Sequence, residues 1–117
     1  MTSKAPPKIR VVFYKTPAGG EAVLDWLRGL DDADRREIGL DLMRVQYRWP
    51  VGMPLCRPMG NGLWEMRTTL PGGRIVRLMF CVSGGAVTVL SGFLKKAQKT
   101  PDEELALARK RMKELLP

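Results

Sequence analysis

Three β-patterned segments separated only by glycine-rich breaks constrain this chain more than any other feature. They are LWEMRTT (63–69), RIVRLMFCV (74–82) and AVTVLSGF (86–93), divided by Pro71-Gly72-Gly73 and Ser83-Gly84-Gly85. Connections that short make the three strands antiparallel neighbours. Side chains alternate along a strand, so faces can be read off. Val76, Leu78 and Phe80 form a wholly apolar set, expected to lie against helices. Ile75, Arg77 and Met79 form the other set, which places Arg77 on the open side of the sheet. Leu63, Glu65 and Arg67 share one face, and Trp64, Met66 and Thr68 the other. Pairing across the Pro-Gly-Gly turn brings Arg67 beside Arg77.

The rest of the chain supplies one more strand and three helices. IRVVFY (9–14) is apolar and β-branched, and Thr16-Pro17 and Gly19-Gly20 end it. Val23, Leu27 and Leu30 mark one face of a first helix. Asp31 stands where a cap for the second belongs, and Ile38, Leu42, Val45 and Trp49 form its apolar stripe. Residues 50–62 hold three prolines and three glycines and read as a loop. After LKKAQK, Thr100 reads as an N-cap with Pro101 at the first helical position and Glu103 completing a capping box. The last helix packs through Leu105, Ala108, Met112 and Leu115 or Leu116. The order β-α-α-β-β-β-α predicts an α+β fold: a small, mainly antiparallel sheet with helices packed on one face. With 117 residues, one domain over 9–117 and a loose tail over 1–8 are expected.

Composition removes whole classes of chemistry. The chain has no histidine, so histidine metal sites, Ser-His-Asp triads and a histidine general base are out. Its two cysteines do not form a CxxC pair, and the acids of 31–41 read as the exposed face of a helix rather than a magnesium site. Neither a metal nor a cofactor is expected. There is no apolar run of 18 residues and no secretory-signal pattern, so no membrane association and a cytoplasmic protein are expected.

The charge that remains is one-sided. Residues 42–101 carry nine basic residues and a single acid, Glu65, and so hold the whole +8 excess. A block of this kind attracts a polyanion, above all RNA, or else is a basic surface that binds without specificity. Arg67 facing Arg77 is unfavourable unless an anion sits between them or both are solvated or paired with Glu65. Lys95, Lys96 and Lys99 follow the last strand and lie at the rim of the same sheet. Arginine forks suit phosphate, and a lysine crowded by cations titrates low enough to accept a proton. Such a set can cleave RNA without metal. A base activates a ribose 2′-hydroxyl, arginines stabilise the phosphate charge, and an acid protonates the leaving 5′-oxygen. Trp64 reads as core, or as an aromatic stacking on a base.

Gly62-Leu63-Trp64-Glu65-Met66-Arg67, then Arg77, then Leu90-Ser91-Gly92-Phe93-Leu94-Lys95-Lys96, then Lys99-Thr100-Pro101 resembles the HigB-like branch of the RelE/ParE toxin superfamily. The resemblance implies a RelE-like (microbial ribonuclease-like) fold and the toxin of a type II toxin–antitoxin system. It implies a ribosome-dependent mRNA endoribonuclease, an mRNA interferase that inhibits translation and arrests growth. The partners it implies are a HigA-like helix-turn-helix antitoxin, the ribosome and mRNA, with operator DNA bound only through the antitoxin complex. Carried onto this sequence, the catalytic set is Arg67, Arg77, Lys95 and Lys96, with Arg67 and Arg77 on phosphate and Lys95 or Lys96 in proton transfer. Arg74, Phe93, Lys99 and Trp64 are expected to bind substrate. Where some members carry a histidine before Gly92, this chain has Ser91. A ParE-like gyrase inhibitor without nuclease activity is the competing class. Arg67→Ala and Arg77→Ala are each expected to relieve growth arrest and leave the fold intact.

Overall fold

A computed structural model describes residues 9–115. The expected tail over 1–8, and Leu116, lie outside them. The element order is β1 (Arg10–Phe13), α1 (Ala22–Arg28), α2 (Asp32–Arg48), β2 (Cys56–Gly60), β3 (Leu63–Thr69), β4 (Ile75–Ser83), β5 (Ala86–Leu94) and α3 (Asp102–Leu115). The five strands make one sheet in the order β1-β5-β4-β3-β2. Only β1 pairs in parallel, with β5; the other three pairings are antiparallel. The α+β class and the mainly antiparallel sheet are as expected.

The strand β2 stands where a loop was expected. Its Pro58 pairs with Trp64, and β2 is the outer strand on that side. A proline is tolerated there because an edge strand has one side on which its missing N–H is not needed.

The helices divide between the two faces of the sheet instead of sharing one. Val76, Leu78 and Phe80 of β4 pack with Met66, Val87, Val89 and the buried side chains Val23, Leu27, Ile38 and Val45 of α1 and α2. The alternate residues Met79 and Cys81 pack with Leu63, Leu90 and the Ala108 and Met112 side chains of α3. A β-bulge explains part of this. The register shifts between Met79 and Phe80, because β5 has one extra residue there. Leu90 thereby joins Met79 and Cys81, while Val89 stays with the first core. The face holding Arg77 therefore has an apolar half, and α3 covers it. Two arginines fix that helix: Arg109 donates to the main-chain oxygens of Met59 and Gly60 at 2.8 and 3.2 Å, and Arg111 to that of Leu90 at 2.7 Å.

The apolar stripe of α2 is as expected, with Ile38 and Val45 buried and Leu42 and Trp49 partly so. The acids beside it are not all exposed. Asp34 and Asp41 are buried; Asp34 takes a 2.8 Å hydrogen bond from Arg74, and Asp41 pairs with Arg44. The start of α3 also differs. The helix begins at Asp102, and the carbonyl accepting from Leu105 is that of Pro101. The Thr100 hydroxyl is engaged elsewhere, in the site.

Candidate functional site

The register of β3, β4 and β5 builds the site. Arg67 lies directly opposite Arg77, as the turn implied, and Arg77 lies opposite Phe93. One row along, Arg57 of β2 lies opposite Glu65, which lies opposite Met79. All of these except Met79 and Phe93 are charged, and they share the α3 face.

Their burial separates them. Arg67 is exposed. Arg77 is only 2% exposed, so it does not face open solvent as expected. After β5 the chain turns back across this face and covers it. Arg77 donates one hydrogen bond to the Thr100 hydroxyl at 3.0 Å and another to the main-chain oxygen of Gln98 at 2.9 Å. Its Nε lies 3.8 Å from the carboxylate of Glu65, which is itself fully buried. Thr100 donates to Glu65 at 2.7 Å, and Arg57 donates to the other carboxylate oxygen at 3.3 Å. Burial pushes Arg77 below the ordinary arginine value, with Arg67 and Arg57 adding to the effect and Glu65 opposing it. Arginine starts high enough to stay charged regardless. Glu65 is thus the counter-ion that lets Arg77 lie inside.

Lys95 completes the open part of the cluster. It follows β5, and its N–H donates to the Ile75 carbonyl at 2.7 Å, continuing the β4–β5 ladder. Strand alternation therefore puts it on the face of Phe93 and Arg77. Its ammonium donates to Gln98 Oε1 at 3.4 Å. Partial desolvation lowers its pKa, followed by the charges of Arg67 and Arg77, while Glu65 raises it.

The other expected residues distribute unequally. Lys96 is exposed and lines both a groove with Trp26, Phe93, Glu103 and Glu104 and the depression beside Lys95. That depression, about 450 Å³, is lined by Arg74, Ile75, Lys95, Lys96 and Gln98 among others. Arg74 reaches it, but its guanidinium is engaged by Asp34. Phe93 is half-buried and packs toward the α3 core. Lys99 is exposed and pairs with Asp102 at 3.4 Å.

Trp64 is not at the site. Alternation sends it to the α1/α2 face, where its ring meets Trp49 edge-on at 4.8 Å, so its core reading is the right one.

Three participants escaped the sequence reading: Arg57, Thr100 and Gln98. Arg57 was hidden by the proline that disguised β2. Thr100 and Gln98 depend on where the chain returns, which no local pattern encodes.

Among the described residues, no group of Cys, Asp and Glu side chains is arranged to hold a metal ion, and no helix is long and apolar enough to cross a membrane. The buried Cys56 thiol is pushed up to about 12 by burial and by Asp41, which makes it a poor nucleophile.

Three helices on a five-stranded, mostly antiparallel sheet define an α+β domain compatible with a small RelE-like fold. A family model described as phage-derived protein Gp49-like (DUF891) matches residues 25–113, from α1 almost to the end of α3. The chain belongs to that family, a RelE/HigB-type toxin family of toxin–antitoxin systems. No curated protein matches the sequence.

Proposed function

We propose that this protein is the toxin of a type II toxin–antitoxin pair of the HigB kind, a metal-independent endoribonuclease that cuts mRNA on the ribosome. The observation that carries the reading is the exposed Arg67 in register with the buried Arg77, with Lys95 on the same face, within reach of both charges, and the carboxylate of Glu65 buried next to Arg77. Such a corner presents positive charge outward and keeps its neutralising acid inside, which suits a phosphodiester.

In this mechanism Arg67 contacts the scissile phosphate. Arg77 contributes its fixed charge from below and holds the strand geometry. Lys95, as the free amine, takes the proton of the ribose 2′-hydroxyl. The 2′-oxygen attacks phosphorus, the bond to the 5′-oxygen breaks, and that oxygen takes a proton from water. The products are a 2′,3′-cyclic phosphate and a 5′-hydroxyl. On this reading the ribosome supplies the alignment of the in-line attack. Lys96, Lys99 and Arg74 lie around the rim, where they add attraction for RNA or ribosome. A HigA-like antitoxin neutralises the protein in the cytoplasm, and operator DNA is bound only through that complex.

Brief induction followed by primer extension on cellular mRNA tests the reading. Discrete cuts within translated frames, lost in Arg67→Ala, are expected. Intact mRNA accompanied by stabilised gyrase–DNA breaks would overturn it in favour of gyrase inhibition.

A further inference from the structure

Residues 95–101 form no helix or strand, yet they carry the proposed base. Beyond the ladder bond of Lys95 to Ile75, what pins them is a chain of polar contacts reaching down to Glu65. The Thr100 hydroxyl bridges Glu65 and Arg77, donating to the first at 2.7 Å and accepting from the second at 3.0 Å. The second arm of the Arg77 fork holds the Gln98 carbonyl at 2.9 Å, and the Gln98 side chain accepts from Lys95 at 3.4 Å. Thr100 is itself only 2% exposed. Its hydroxyl does not cap α3, because the first bonded carbonyl there is that of Pro101. The hydroxyl is therefore spent wholly on joining this segment to the sheet.

We propose that Thr100 and Glu65 are positioning residues: together with Arg77 they clamp the 95–100 segment and so hold the Lys95 amine beside Arg67. The effect on rate rests on the nuclease reading; the clamp does not. Thr100 is the informative position because it is uncharged. Replacing it leaves every charge around Lys95 in place: Arg67 and Glu65 from β3, Arg77 from β4, and Arg74 and Lys96 along the same depression. Any change in the titration of Lys95 then reports a change in its position.

The test uses the full chain, as wild type, Thr100→Val and Thr100→Ser, with Thr100→Ala replacing the valine variant if that one does not fold. Trace acetylation of Lys95 across pH, read by mass spectrometry, gives its titration midpoint without RNA. Cleavage of mRNA in a translating extract gives the rate. In Thr100→Val the midpoint is expected to rise toward that of an ordinary lysine, because loosening the segment gives the Lys95 amine back to solvent and away from the two arginines. Cutting is expected to slow by about 10²-fold, the scale of an ångström-sized misplacement. Thr100→Ser, which keeps the hydroxyl, restores both. A folded Thr100→Val or Thr100→Ala protein with the wild-type midpoint overturns the clamp. A displaced midpoint in a chain whose wild type cuts no mRNA leaves the clamp standing and removes the nuclease reading instead.

Discussion

Removing Arg77 and removing Arg67 should have very unequal consequences for stability, although the two arginines are cross-strand partners. Arg77→Ala deletes two hydrogen bonds, to Thr100 and to the Gln98 carbonyl, and takes the buried counter-ion from Glu65. Glu65 would keep Thr100 and the partly exposed Arg57. Breaking a buried ion pair from one side costs roughly 3–5 kcal/mol. The Arg77 Nε stands 3.8 Å from the carboxylate, beyond a good hydrogen bond, and Arg57 remains, so the lower end, about 3 kcal/mol, applies. For a domain of this size that lowers Tm by roughly 10–15 °C. Arg67 is exposed and faces a like charge. Its alanine variant should stay within about 0.5 kcal/mol of wild type, on the stabilising side if on either, because cross-strand repulsion is relieved. Thermal unfolding followed by circular dichroism measures both. The expectation that both variants keep the fold intact is thereby refined: Arg67→Ala is expected to keep wild-type stability and Arg77→Ala to fold but melt earlier. An Arg77→Ala protein melting with wild type, or an Arg67→Ala protein melting well below it, would refute this assignment of roles.

Three other expectations follow from the same geometry. If Lys95 is the base, the cleavage rate rises with pH as its lowered pKa is approached from below, and Lys95→Arg loses that rise; an unchanged profile in the variant excludes Lys95. Both cysteines are buried with raised pKa values, so iodoacetamide at pH 8 should label neither until denaturant is added; the folded state favours the Cys56 thiol, so its contribution to stability is present below pH 9 and is lost as pH rises toward about 12, and Cys56→Ala should lose less over that window in alkaline melts. A Cβ at Gly92 would meet Leu78 Cδ2 at 2.6 Å and the Trp26 ring at 3.1 Å, so Gly92→Ala should cost about 1–3 kcal/mol in denaturant unfolding.

The central hairpins were legible in the sequence because short glycine turns fix register, and register placed Arg67 opposite Arg77. The stripe of α2 was legible because its period is undisturbed from Ile38 to Trp49. The side of the sheet that α3 covers was not legible. Arg77 lies between Ile75 and Met79 and makes that face look wet, and the bulge at Leu90 breaks the alternation that would have shown its apolar half. The pocketing of Arg77 depends on a return of the chain some twenty residues later. Sequence spacing brought the cations together; only the fold could tell which of them meets solvent.

The parts that cover the α3 face all come after residue 94: the segment bearing Lys95, the Thr100 bridge, and α3 with its two arginine fastenings. They follow every strand of the sheet in the chain, so they are synthesised after it. A nascent polypeptide finished only as far as β5 has an uncovered greasy patch, an unclamped Arg77 and no amine to draw off a proton. On the proposed function, the machine that makes this protein is spared by it until the segment after β5 has been made and has folded back.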